Sequence, residues 1–414
     1  MSRFRENPWA WIPTLYFAEG IPYFVVNVIS VTMFKRLGMP NGELALYTSL
    51  LYLPWVIKPL WSPLVDVLRT KRWWILTMQT VMTLGFALLA LSVSRSVFVW
   101  SLIVFYVVAL ASATHDIAAD GYYMLALDEH DRSMFVGIRS TFYRIASVFG
   151  QGVIVVIAGV LETRLGNIPL AWQLTLGFAA VLFALLTLWH SLALPQEKKN
   201  EEAEPVLGQL ARPFVTFFQK PGVLLALLFM MLYRLPEALS VKMLTPFLLD
   251  PRSAGGLEMS TAQSGLVYGT VGVIALTLGG ILGGFASARW GLKKSLWPMA
   301  LSLALPCAVY LFMALALPAQ QWVVYVCVAL DQFGYGFGFT AYMLYMMWFS
   351  EGEFKTSHYA ICTAFMAMSM MIPGLFAGWL QEAVGYGGFF AIVMVCCMAT
   401  IAVTLMAAKQ IKDN

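Results

Sequence analysis

The chain has 414 residues, 60% hydrophobic and only 12% charged, with a mean hydropathy of +0.75. Soluble chains carry roughly 25% charged residues, which excludes a soluble enzyme with one or two cores, and the long unbroken apolar runs argue against a β-barrel, whose strands alternate over roughly ten residues. The net charge of +4 is small and scattered, so a nucleic-acid partner is not expected.

Apolar runs bounded by charge, Gly and Pro predict twelve membrane-spanning helices, each needing about 20 residues. Six lie near 10–34, 44–64, 73–93, 98–127, 134–160 and 171–193. Six more lie near 221–249, 262–287, 295–317, 321–349, 358–382 and 386–408. Arg3 and Arg5 precede a first run that is too long for a cleaved signal, so it is expected to stay as the first span. Between the sixth and seventh spans runs a polar stretch containing Glu197, Lys198, Lys199, Glu201, Glu202 and Glu204. Its later part (Leu207, Leu210, Phe214, Phe217, Phe218) has the pattern of a helix lying on the membrane surface. The predicted fold class is therefore an all-α polytopic membrane protein of two six-helix bundles, residues 1–193 and 221–414, joined by a cytoplasmic linker at 194–220.

Placing both termini in the cytoplasm puts sixteen Lys and Arg residues, from Arg3 to Lys412, on the inner side. Only Lys35, Arg36, Arg95, Arg164 and Arg252 then lie outside, a clear positive-inside bias. The five cysteines (Cys307, Cys327, Cys362, Cys396, Cys397) sit in apolar runs without metal-ligand spacing, so neither a metal nor a cofactor is expected.

An internal repeat supports the division into halves. Ser62-Pro63-Leu64-Val65-Asp66 is followed by Lys71-Arg72, and 222 residues later Gly284-Phe285-Ala286-Ser287-Ala288 is followed by Lys293-Lys294. Both resemble degenerate copies of the loop signature of the major facilitator superfamily, with Ala288 in the place of the second Asp and Ser62 in the place of the first Gly. Asp66, Lys71 and Arg72 are accordingly candidates for a cytoplasmic gating loop that pairs charges with helix ends.

Ionisable residues inside a span cost several kcal/mol unless they face a partner or a wet cavity, so each is a candidate functional group. They are Glu19, Lys58, His115, Asp116, Asp120, Arg139 and Arg144 in the first half, then Arg234, Glu237, Lys242, Asp331 and His358. Asp116 and Asp120 are four apart and share a helical face, where two carboxylates in a low dielectric disfavour joint ionisation, as a proton-carrying site requires. Arg144 on the next span is the expected counter-ion, and His115 points about 100° away from Asp116. Arg234 and Glu237, three apart, are placed to neutralise each other, and Pro236 between them is expected to break the helix. Asp331 precedes Gly334, Gly336 and Gly338, while Gly279, Gly280, Gly283 and Gly284 read as a helix-packing stripe. Trp9, Trp11, Trp61, Trp73, Trp74, Trp100, Trp172 and Trp322 near span ends suggest an interfacial belt. Tyr122, Tyr123, Tyr143, Tyr233, Tyr335, Tyr342 and Tyr345 lie deeper, beside the charges, as rings for a sugar or for packing.

Four stretches carry a family resemblance: 53–66 (Leu53-Pro54-Trp55 through Val65-Asp66), 113–122 (Ala113-Thr114-His115-Asp116 through Gly121-Tyr122), Tyr143-Arg144, and Leu232-Tyr233-Arg234-Leu235. The chain resembles the AmpG-type muropeptide permeases of the major facilitator superfamily, broadly related to acetyl-CoA transporters. In that family paired span-four aspartates, a span-two lysine and a span-five arginine match Asp116, Asp120, Lys58 and Arg144. Glu19, Arg139 and His115 depart from the family pattern. The resemblance implies a proton-coupled importer of anhydro-muramyl or amino-sugar compounds, working by alternating access in a bacterial inner membrane, with a small-molecule substrate, protons and lipid as partners. A monomer is expected. Asp116, Asp120 and Glu19 are the expected proton-coupling groups; Lys58, Arg139, Arg144, Tyr122, Tyr143, Arg234, Glu237 and Asp331 are the expected substrate-binding groups. Another anionic cargo such as an acyl-CoA or a sugar stays open, as does a polytopic enzyme using the surface acids Asp128, Glu129 and Asp131.

Overall fold

The computed structural model describes residues 7–93, 98–196 and 207–411, without the side chains of 66, 67, 129, 133, 136 and 207–211. Arg3, Arg5, Arg95, the linker charges Lys198, Lys199, Glu201, Glu202 and Glu204, and Lys412 lie outside the described residues, as does Glu197.

Among the described residues every long element is a helix, and nine are long and apolar enough to cross a membrane. They are α1 (Pro8–Arg36), α4 (Lys71–Ser92), α5 (Phe98–Ala126), α6 (His130–Leu165), α7 (Ile168–Ala193), α9 (Val223–Leu249), α10 (Thr261–Ala316), α11 (Gln321–Ser350) and α12 (Lys355–Gln410). Two short helices, α2 (Asn41–Leu50) and α3 (Leu53–Val67), make a further pass, and α8 is Leu207–Phe218. At 1.5 Å per residue, an unbroken α10 or α12 would reach roughly 84 Å, nearly three times the bilayer core. Each instead breaks at a glycine in the positive-φ region, Gly291 (φ 75°) and Gly385 (φ 70°), and supplies two passes. The doubling back is visible in α10, where Gly283 on one side of the break and Met299 and Leu303 on the other all pack against the same stretch of α11, near Phe337–Thr340. Among the described residues twelve passes result, the number predicted.

The passes fall into two units, Met1–Leu37 with Ile57–Val206, and Gly38–Val56 with Leu207–Asn414. Chain order alone counts 44–64 within the first bundle, whereas α2 makes its contacts in the second unit. The cause is local. Asn41 donates to Gln381 Oε1 (2.6 Å) and Asp250 Oδ2 (3.2 Å) and bonds the Tyr386 hydroxyl (3.1 Å), while the Gly42 amide donates to Glu382 (2.8 Å). Gly378 on α12 lets the Asn41 carbonyl come close.

In the first unit α1 packs on α6, and α4 on α5 and α7. Asn167 caps α7 by accepting from Leu170 N (3.1 Å), after Gly166 (φ 60°) has ended α6. Glu162, buried at that end, takes Arg36 (3.0 Å) and the Trp172 indole N–H (2.8 Å). Trp172 is therefore core rather than interface. Trp11 is buried as well, edge-on to Tyr122 at 5.1 Å. Both sit where helix ends still face neighbouring helices, so nearness to a span end does not by itself place an indole at the lipid headgroups. Trp9, Trp73, Trp100 and Trp322 are exposed, as the belt requires. Glu162→Ala strands a buried indole N–H and is expected to cost about 1–3 kcal/mol, read as a lower unfolding midpoint in detergent.

In the second unit α9 is interrupted at Tyr233–Arg234, one turn before Pro236, whose missing N–H suits the first turn of the restarted helix. The glycine stripe of α10 packs as its spacing suggests: a Cβ on Gly279 would overlap the Phe333 carbonyl, and one on Gly336 of α11 would overlap the Leu276 carbonyl. Helix α8 buries Phe217, exposes Val215 and Phe218, and pairs Arg212 with Glu353 at 3.6 Å. Lys220 then donates to the Phe349 and Glu351 carbonyls (2.5 and 2.7 Å) at the end of α11.

Candidate functional site

The first unit gathers five of the charges read from sequence. Asp116 and Asp120 lie one turn apart on α5. Lys58, from α3, stands 3.5 Å from Asp116 Oδ2, and Arg139, from α6, 2.8 Å from Asp120 Oδ1. Arg139 also lies over the rings of Tyr16 (4.5 Å) and Tyr123 (5.1 Å), and the Tyr16 hydroxyl donates to Asp120 at 3.3 Å. Glu19 is reached because Gly20 lets α1 approach α6: a Cβ there would meet Ala146 at 2.7 Å and the Tyr143 carbonyl at 3.4 Å. Its carboxylate is buried, Oε2 makes no hydrogen bond among the described residues, and it lies within electrostatic reach of Asp120, Asp116, Arg139 and Lys58.

Among the described residues this group holds three carboxylates and two cations, so full ionisation gives the group itself a net charge of −1. The Asp120 side chain is 48% exposed and those of Lys58 and Arg139 29% each. Charges this open on membrane-spanning helices are tolerated beside water, not beside lipid tails.

The cations paired with these aspartates are Lys58 and Arg139, not the expected Arg144. Arg144 is half-buried five positions after Arg139, a rotation of about 140° around the helix, so the face that meets α5 is that of Arg139 and, one turn on, Tyr143. Tyr143 does lie at the cluster, against Gly20 and 5.9 Å from the Phe24 ring. Tyr122 does not. It is fully buried, and its hydroxyl donates to the Pro195 carbonyl at 3.0 Å, a packing role at the end of α7.

Of the gating-loop residues, Arg72 donates to the Ser191 and Leu194 carbonyls (2.7 and 3.2 Å), a cation at the C-terminal end of α7. Lys71 is buried across Gly121, where a Cβ would meet its Cε at 2.7 Å. The Asp66 side chain lies outside the described residues.

Behind the cluster runs a buried polar chain that charge alone does not reveal. The Gln79 amide donates to His115 Nε2 (3.0 Å), its carbonyl bonds His190 Nδ1 (3.0 Å), and His190 Nε2 bonds Thr14 (3.0 Å). It ties α1, α4, α5 and α7 together. Gln79, His190 and Tyr16 were not among the predicted site residues; their signal was a polar side chain in an apolar run.

In the second unit Arg234 pairs with Glu237 (3.1 Å), donates to the Tyr335 hydroxyl (2.8 Å), and lies over Phe339, Tyr335 and Tyr342 at 4.8–5.6 Å. The pair is buried and self-neutralising, as its spacing suggests. Asp331, also buried, accepts from Tyr310 (2.6 Å) and from Gln332 (3.0 Å) on the same oxygen. These are neutral donors, so this acid has a different environment from the cation-paired acids of the first unit. No group of three His, Cys, Asp or Glu side chains suited to a metal occurs among the described residues.

The family described as Major Facilitator Superfamily matches residues 14–348 of the chain. The chain is 24% identical to the anhydromuropeptide permease of Escherichia coli K12, over 99% of this chain and 81% of that one. It is 22% identical to putative transporter AmpG 4 of Rickettsia felis, over 95% and 94%. Among solved structures, a bacterial homolog of the human lysosomal transporter Spinster, inward-facing and unoccupied, superposes with a TM-score of 0.73 at 15% identity, covering 99% of this chain and 98% of that one.

Proposed function

Since the chain belongs to the Major Facilitator Superfamily and is a membrane transporter, we propose that it is a proton-coupled importer of anhydro-muropeptides or related amino-sugar compounds, working by alternating access. Its place is a bacterial inner membrane, with both termini in the cytoplasm, and it works as a monomer. The name of the Escherichia coli relative suggests the cargo class. The observation that carries the coupling is the excess of one carboxylate over cations in the group Glu19, Asp116, Asp120, Lys58 and Arg139. One proton neutralises that group, and a neutral group costs less to occlude than a charged one. Lys58 and Arg139 serve as alternative partners for an acidic cargo, with Tyr16 and Tyr143 against its sugar.

Purified protein in liposomes tests this reading. An acid-outside pH gradient is expected to drive inward accumulation of labelled N-acetylglucosaminyl-anhydro-N-acetylmuramyl peptide, and a protonophore to collapse it. Accumulation that follows a sodium gradient at equal pH would reject proton coupling, and no uptake of any amino-sugar compound would reject the cargo.

A further inference from the structure

The charge cluster of the first unit leaves one buried cation of the second unit without a task. Lys242 on α9 is buried, and its ammonium donates to the Thr48 hydroxyl of α2 at 3.1 Å and stands 5.5 Å from the centre of the Tyr52 ring. Among the described residues no carboxylate lies within ion-pair distance of it, unlike Lys58, Arg139 and Arg234. A hydroxyl and a ring face compensate a buried ammonium poorly, so the position favours an anion that is not part of the chain.

A second, separate observation points to the same spot. Ser49, next to Thr48, is fully buried, and its Oγ makes no hydrogen bond among the described residues. That Oγ and Lys242 Cε both crowd the place where a Cβ would stand on Gly374 of α12, the latter at 3.1 Å. The missing side chain of Gly374 is what lets the unused Ser49 hydroxyl and the Lys242 stem come together at one point. The Thr48 hydroxyl gives its own hydrogen to the Leu44 carbonyl (2.6 Å), so the donors left for an anion are the ammonium and the Ser49 hydroxyl, two groups suited to two carboxylate oxygens.

We propose that Lys242, with Ser49, is a carboxylate-binding subsite of the second unit, taking an acidic group of the cargo. In this structure the Thr48 hydroxyl and the Tyr52 ring occupy the ammonium, and a cargo carboxylate displaces them. The inference rests on the transport reading but not on any one cargo, because it specifies only the group that is recognised. It gives a buried lysine a substrate-selecting role: cargo with a free carboxylate is preferred over the same cargo esterified.

Thermal stabilisation of purified protein tests it. The panel is an anhydro-muramyl tripeptide, its fully methyl-esterified form, and the peptide-free anhydro-disaccharide, together with gluconate and glucose. Wild-type protein is expected to respond to each carboxylate-bearing probe at concentrations at least tenfold lower than to its neutral counterpart. In Lys242→Met, which keeps the apolar stem and volume, that preference shrinks to whatever Lys58 and Arg139 supply, while the response to the neutral probes is retained; Lys242→Arg keeps the preference in full. No preference for carboxylates in the wild type, or a preference undiminished in Lys242→Met, overturns the proposal. If gluconate and the tripeptide are preferred equally over their neutral counterparts, the subsite stands and it is the muropeptide reading that fails.

Discussion

Asp116→Asn and Asp120→Asn are each expected to abolish uphill accumulation of cargo while downhill exchange persists at a tenth to a hundredth of the wild-type rate. The two effects have different physical sources. An amide cannot take up and release a proton, so the gradient loses its handle on the cluster, and accumulation falls to the level of equilibration. Exchange needs no net proton movement and suffers only from the weakened contact to Lys58 (an ion pair at 3.5 Å) or Arg139 (a charge-assisted contact at 2.8 Å). A bond of the Arg139 kind is worth about 1.5–3 kcal/mol, one to two decades of rate, and the longer Lys58 pair lies toward the lower end. The variants should fold, because Asn keeps the volume of Asp and an acceptor for the cation. Accumulation and counterflow measured on the same liposomes separate the two effects, and full accumulation with both aspartates replaced would remove the coupling site.

Gly279→Ala and Gly336→Ala are expected to cost about 3 kcal/mol each, at the upper end of what overpacking exacts. The reason is that the obstruction is backbone, which cannot rotate away. A methyl on Gly279 meets the Phe333 carbonyl, and one on Gly336 meets the Leu276 carbonyl, so α10 and α11 must separate along their whole shared face. Separation loses the close backbone approach that holds such helices together in lipid, where no hydrophobic force replaces it. Gly284 of the same stripe is the control: nothing stands within 4 Å of its Cβ position, and Ala there should be neutral or gain up to about 1 kcal/mol from helix propensity. Melting curves in detergent compare the three. Equal behaviour of Gly284→Ala and Gly279→Ala would show that the stripe does not hold the pair.

The passes and the span-four acids were legible because each rests on a local rule: apolar length for a span, four-residue spacing for a shared face. Partner choice was not, since it depends on which face each helix turns to its neighbour. Arg139 and Arg144 are equivalent in composition, yet the close contact of Gly20 with Ala146 turns the Arg139 face toward α1 and α5. The same holds for Tyr122, equal on paper to Tyr143 but drawn to the end of α7 by the Pro195 carbonyl. The Gln79–His190–Thr14 chain escaped because uncharged polar residues are cheap enough in a span to look incidental. The allegiance of α2 was hidden for another reason: chain order assigns it to the first half, and only the bonds of Asn41 and Gly42 assign it to the second unit.

The reversals at Gly291 and Gly385 leave almost no slack between consecutive passes. Surface connections usually absorb an inserted or deleted residue without disturbing the element downstream. Here helical backbone resumes directly, and a single added residue twists the next pass by about 100° about its own axis. In α10 that would swing Met299 and Leu303 off Gly338 and turn them toward lipid. The register of these two hairpins is therefore set by residue count as much as by side-chain identity, and length changes at the elbows should be far less tolerated than substitutions on either side of them.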